Sequence, residues 1–258
     1  MIHLRPETHS HLGWRPAKGF GFAREMAMVP LAATEISRVA QSLPVLFGHR
    51  AGRWQAVAVL GPVQGANVHV TREGKWRASF VPALLKVYPF RLDDDGQLAL
   101  WAGYEPFPLA SDGVQPFHED GGLEPRLQQA LKLLRAVHTG MGAVHPVLER
   151  LYNAGALTPW EMPGIESPQA ERALKGLYAI DTVRFEALGD AAVLELFRTG
   201  VLGWLHAHLD SLHHAERFKE LAKSIVGTEI AAPRQHDKID QVADFLAAIA
   251  EDLGDAEL

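Results

Sequence analysis

The chain has 258 residues and no cysteine, with 47% hydrophobic and 22% charged residues. That composition suits a globular protein long enough to bury its own core. It excludes a disordered, collagen-like or membrane-spanning chain, a disulfide framework, thiolate metal sites and a cysteine nucleophile. The net charge of −6 lies at one end, because residues 228–258 hold eight acidic and two basic residues and residues 1–227 balance to zero. A neutral body with an acidic tail is a poor match for nucleic acid or an anionic membrane, so neither is expected as a partner.

The start, Met1-Ile2-His3-Leu4-Arg5-Pro6-Glu7, lacks the apolar run of a secretory signal. No stretch of about 18 uncharged apolar residues follows. The expectation is a cytoplasmic protein with no membrane insertion. A short helix is predicted near Ala32–Gln41, then strands at Leu43–Phe47, Trp54–Leu60 and Asn67–Thr71, with a turn at Glu73-Gly74 before Lys75–Ala78. A second short helix is predicted near Val81–Lys86. Tyr88–Leu92 and Gln97–Trp101 flank Asp93-Asp94-Asp95-Gly96, an Asp-Gly hairpin signal.

Pro125 suits the first turn of a helix. From there Leu127, Leu131, Leu134, His138, Met141, His145 and Leu148 step by four and three along one face, with Gly140, Gly142 and Pro146 set to bend or break it. Leu177–Ile180 reads as a strand. Ala191–Glu220 reads as one long helix with Val201, Leu205, Leu209 and Leu212 inward. Strands first and helices later predict an α+β fold: an antiparallel sheet from the N-terminal half, with helices of the C-terminal half packed on it. The expected division is residues 1–227 as that domain and residues 228–258 as an acidic amphipathic helical appendage. In the appendage Ile239, Val242, Leu246, Ile249 and Leu253 recur at spacings of three and four. A helix of about 18 residues is marginal alone in water. This seam is therefore expected to dock on its own body, on a second copy through residues 235–253 as a homodimer, or on a partner.

Sequence motifs for chemistry are scarce. Gly74-Lys75 lacks the preceding glycine of a phosphate loop, and Gly140-Met141-Gly142 has His145 where a dinucleotide fingerprint needs glycine. No Gly-x-Ser-x-Gly elbow and no His-Glu-x-x-His pair occurs. The strongest metal arrangement is His206, Asp210 and His213, which share a helix flank and offer two imidazoles and a carboxylate. His138 and His145 stand about 10 Å apart along a straight helix, too far to share one metal. No cofactor and no catalytic residue are predicted.

Several segments together resemble the SapC family of bacterial proteins. They are Val29-Pro30-Leu31 with Glu35, Leu43–Phe47, Gly65-Ala66-Asn67-Val68, Gly74-Lys75-Trp76, the block Phe80–Phe90, Phe117 with Asp120-Gly121, Gly176–Asp181 and Leu205–Leu212. The resemblance runs from about Phe22 to about Ala222. It implies an accessory role, and with the motifs above absent the expectation is a non-catalytic binding or accessory protein with a protein or peptide partner. Genes of such proteins lie near those of flavin-dependent halogenase-like proteins, cupin-like oxygenases and TonB-dependent receptors, which points to protein or peptide modification or to uptake. The alternatives are a metal-dependent enzyme using the His206, Asp210, His213 set, or a structural protein of the surface layer. Within the Trp76–Phe90 block the aromatics gather around Pro82 and Pro89. They either fill a core corner or line a groove for a peptide or small ligand, with Trp76, Tyr88 and Phe90 as walls and Asn67 and Lys86 as polar contacts.

Overall fold

The structure is a computed structural model. It describes residues 2–218 except 6, 8–11, 51, 62–66, 93–95, 102–106, 109–113, 119, 162–173, 216 and 217. The expected appendage at 228–258, its seam at 235–253 and the domain boundary after residue 227 lie outside the described residues, as do Gly65-Ala66, Asp93–Asp95 and Glu119.

In chain order, β1 (Ile2–His3) and β2 (Leu12–Gly13) precede a 3-10 turn at Gly21–Ala23 and β3 (Met28–Leu31). The first predicted helix is a 3-10 turn at Ala33–Glu35 running into α1 (Ile36–Val39). Then come β4 (Val45–Arg50), β5 (Arg53–Val59), α2 (Ala83–Lys86), β6 (Phe90–Leu92), β7 (Leu98–Leu100) and β8 (Phe107–Pro108). The second half contributes α3 (Pro125–Gly142), α4 (His145–Asn153), β9 (Leu157–Pro159), β10 (Leu177–Ile180), α5 (Thr182–Glu186), α6 (Asp190–Arg198) and α7 (Val201–Ser211). Among the described residues no helix is long and apolar enough to cross a membrane.

The fold is α+β. The central sheet runs β3-β5-β4-β10-β9, antiparallel at every pairing. Smaller sheets are β1-β7-β6 and β2-β8. The predicted hairpin is present, with Leu92 opposite Leu98 and Phe90 opposite Leu100. Pro30, which has no N–H to give a second neighbour, sits on the edge strand β3. The central strands are apolar on both faces because both are covered. In β5, Ala56 and Ala58 join the main core while Val57 and Val59 join a smaller one with Leu174, Ala215 and Phe218. The main core is closed by Leu127, Leu134 and Met141 of α3, Leu148 of α4 and Val201, Trp204 and Leu205 of α7.

Two local readings change, and one expected break is present. The predicted strand at Asn67–Thr71 is reduced to a single bridge between Val70 and Trp76, because the chain there turns on Thr71, whose hydroxyl oxygen accepts from the Glu73 and Lys75 amides. The long face from Leu127 to Leu148 breaks after Gly142, where the glycines and Pro146 were expected to break it, giving α3 and α4. The single helix over Ala191–Glu220 is two helices, divided at Thr199-Gly200, where Gly200 takes φ of 71°. Two strands of the sheet, β9 and β10, come from the second half.

α7 is also turned relative to its expected seam. Trp204, Leu205, His208 and Ser211 face inward, while Leu209 and Leu212 are half-buried. The reason lies on β4. β10 pairs with β4 at Leu177–Gly48 and Tyr178–Phe47; continued, that register would set Ile180 opposite Val45. Here the His208 ring bridges the gap. It accepts the Ile180 amide at Nε2 (3.1 Å) and donates from Nδ1 to the Val45 carbonyl (2.6 Å). Ser211 Oγ accepts the Val45 amide (2.9 Å) and donates to the His208 carbonyl (2.6 Å). Two helical side chains replace the missing ladder bonds, so buried backbone groups of β4 stay satisfied.

Candidate functional site

An open cleft of about 370 Å³ lies where the Gly21–Ala23 turn, the Thr71–Gly74 turn and the end of α2 meet. Its walls carry Lys18, Arg24, Arg72, Glu73, Phe22 and Tyr88. The two turns cross at glycines. The Phe20 amide donates to the Gly74 carbonyl at 2.7 Å. A Cβ on Gly19, whose φ is +138°, would stand 2.7 Å from that same oxygen. Gly74 has φ of +80° and lies 3.4 Å from the Gly21 amide by the same measure. A side chain on Gly19 would collide with the Gly74 backbone, and neither backbone conformation suits an L residue. Arg24 fastens the crossing from the side by donating to the Arg72 carbonyl (2.8 Å).

Phe22 and Tyr88 are stacked, 3.8 Å between centroids and 4° from parallel. Trp101 meets Tyr88 edge-on at 5.6 Å. Phe20 links this pair to Trp76, at 6.1 Å from Phe22 and 5.5 Å from Trp76. Three cations against one carboxylate make the cleft positive on a chain that is acidic overall. Glu73 stays ionised there, since the Thr71 hydroxyl beside it holds its carboxyl below the ordinary range.

The predicted ligand residues divide. Tyr88 lines the cleft. Trp76 stands one ring behind it, its indole N–H donated to the Phe80 carbonyl at 2.9 Å. Lys86 is outside the lining; its ammonium sits 4.5 Å over the Phe80 ring. Phe90 is 3% exposed and packs edge-on against Trp14. Asn67 is buried and serves the backbone: its side-chain amide donates to the Ala23 carbonyl (2.9 Å), and its oxygen accepts the His69 amide (2.8 Å). Sequence reasoning missed Phe22, Arg24 and Lys18, which are remote from the aromatic block in the chain, and Arg72, which lies four residues before Trp76. Their signal was the glycine pair in Gly19-Phe20-Gly21, a segment with room for close backbone approach.

The metal set is not brought together. Among the described residues no group of three or more His, Asp or Glu side chains is arranged to hold a metal ion. The helical spacing that aligned His206, Asp210 and His213 ends too early: α7 stops at Ser211, and His213 turns back to the Asp210 carbonyl. The exposed His206 ring meets Phe185 in a T-shaped arrangement, 6.1 Å between centroids. Other histidines serve the fold, His208 as above and His145 by accepting the Trp54 amide at 3.1 Å. His138 is half-buried, and burial, aided by Arg53, lowers its pKa. The buried Glu35 carboxylate accepts the Ala83 amide (2.7 Å) and the Ala32 amide (3.3 Å), tying α2 to the end of β3.

No curated protein and no solved structure matches this chain. The SapC family model matches residues 4–218, a span that takes in the central sheet, the cleft and the α7 plug. The chain belongs to the SapC family.

Proposed function

We propose that this chain is a non-catalytic binding protein, acting as an accessory to a protein- or peptide-modifying or uptake system, and that its cleft takes a side-chain-sized acidic or aromatic element of a polypeptide partner. The observation that carries this reading is the stacked Phe22–Tyr88 pair set beside Lys18, Arg24 and Arg72. A flat apolar wall offers contact area at little entropic cost, and the cations orient an acidic group. At about 370 Å³ the space is at the small end of ligand sites, the size of one or two side chains. The glycine crossing holds the walls in place before a ligand arrives, which lowers the ordering cost of binding.

Affinity capture from the native bacterium tests this, using the full chain, Tyr88→Ala and Arg72→Glu, each checked for an unchanged unfolding midpoint. A partner held by the full chain should fall roughly tenfold or more in recovery with either variant, the loss expected for truncating a central contact. A partner recovered equally by all three would reject the cleft as its site.

A further inference from the structure

α6 has no buried residue. Its Ala192 and Leu196, one turn apart, are the half-buried side, Leu196 against the main core. Glu195, on another side of the helix, forms an ion pair with Arg150 of α4. Val193, Leu194 and Phe197 form a second apolar stripe that faces outward, with Phe197 68% exposed. Val183 of α5 is 76% exposed. Most of the large exposed hydrophobic residues among the described ones fall on these two short helices. A helix apolar on both sides belongs between two layers, and among the described residues only one is present.

We propose that the outer face of α6 is covered by the chain's own C-terminal segment, residues 235–253. That segment carries Ile239, Val242, Leu246, Ile249 and Leu253 on one seam, which needs an apolar surface as much as α6 needs a cover. The chain is anchored at Phe218, which is 2% exposed and packs against His69. From there residues 219–234 reach about 50 Å when extended, enough to cross a body of this size. A second copy is the weaker occupant. A stable interface takes about 800 Å² from each partner, and three or four side chains on a helix about 13 Å long fall short of that. A tethered segment needs far less area, because its effective concentration is of millimolar order.

The absence of native cysteine makes the test direct. Phe197→Cys in the full chain should react with a maleimide roughly tenfold more slowly than Lys132→Cys, an exposed position on α3. Adding Leu246→Asp should restore the fast rate without changing the main unfolding transition. Phe197→Cys with Ile249→Cys should cross-link at monomer mass. Fast labelling regardless of residue 246, slow labelling unaffected by Leu246→Asp, or a cross-link at dimer mass would each overturn the proposal, the last in favour of a second copy. None of these readouts involves the Phe22–Tyr88 cleft, so the two readings fail separately.

Discussion

Protonating His208 would put a charge where water cannot reach and remove the acceptor of the Ile180 amide. Burial holds its pKa down to about 4 from 6.5, against the opposing pull of the Val45 carbonyl. The unfolded chain therefore takes up this proton near pH 6.5 and the folded chain only near pH 4. Between those values the unfolded state binds more protons, so the stabilisation is complete above about pH 6.5 and falls away as the pH drops toward 4. The full shift is worth about 3 kcal/mol, of which about 2 kcal/mol is gone by pH 5. His208→Leu should cost about 2–4 kcal/mol at pH 7, by stranding the Val45 carbonyl and Ile180 amide. Urea denaturation at pH 7 and pH 5 should show the native chain losing about 2 kcal/mol more than the variant; equal losses would place the acid sensitivity elsewhere. Glu35 works in the opposite direction. Burial raises its carboxyl pKa above 4.5 in spite of the Ala83 and Ala32 amides and Lys86, so its contribution is largest in acid and declines as the pH rises through the folded value.

At the level of elements, the glycine crossing decides whether the cleft exists. Gly19→Ala must strain a φ of +138° and press a methyl group to 2.7 Å of the Gly74 oxygen. It should cost about 1–3 kcal/mol. Gly21→Ala, two residues on, has nothing within 4 Å of its new Cβ and should change stability by less than about 0.5 kcal/mol. Equal midpoint shifts for the two in thermal denaturation would remove the crossing as a structural requirement. The elements themselves were largely legible. β5 ends in the apolar run Ala56–Val59, α3 begins at a first-turn proline, and the β6–β7 hairpin follows its Asp-Gly signal. The α6–α7 division was hidden because Ala191–Glu220 stays apolar across Gly200. Helical periodicity registers side-chain spacing, and a single left-handed residue barely disturbs it.

For the whole molecule, the central sheet is completed by strands that arrive more than 100 residues after it begins. β10 pairs with β4, and His208 and Ser211 finish the edge that β10 leaves open. The N-terminal half thus has a strand edge with unpaired buried groups, and Phe47 on one face and Leu46 on the other without their covers. A chain ended after Gly155 should show no near-ultraviolet circular dichroism and no cooperative unfolding transition, whereas residues 1–218 of the full chain should melt as one unit. A cooperative transition in the shortened chain would mean that the first half folds alone.

Composition and pattern by themselves determined the α+β class, the antiparallel pairing of the first half and the family, because these depend on local periodicity, turn chemistry and ordered short motifs. The site depended on distant pairings. Tyr88 was legible as one of a run of aromatics, but its stacking partner Phe22 and the cations Lys18 and Arg24 reach it only through the crossing of two turns some 50 residues apart in the chain. Asn67 and Phe90 looked equally suitable for a ligand until the fold put one against backbone and the other against Trp14. His206 and His213 looked like ligands and His208 like a neighbour, yet the tertiary structure buried His208 alone. Periodicity places side chains on a helix face; which face turns inward is decided by the unsatisfied groups of the strand it meets.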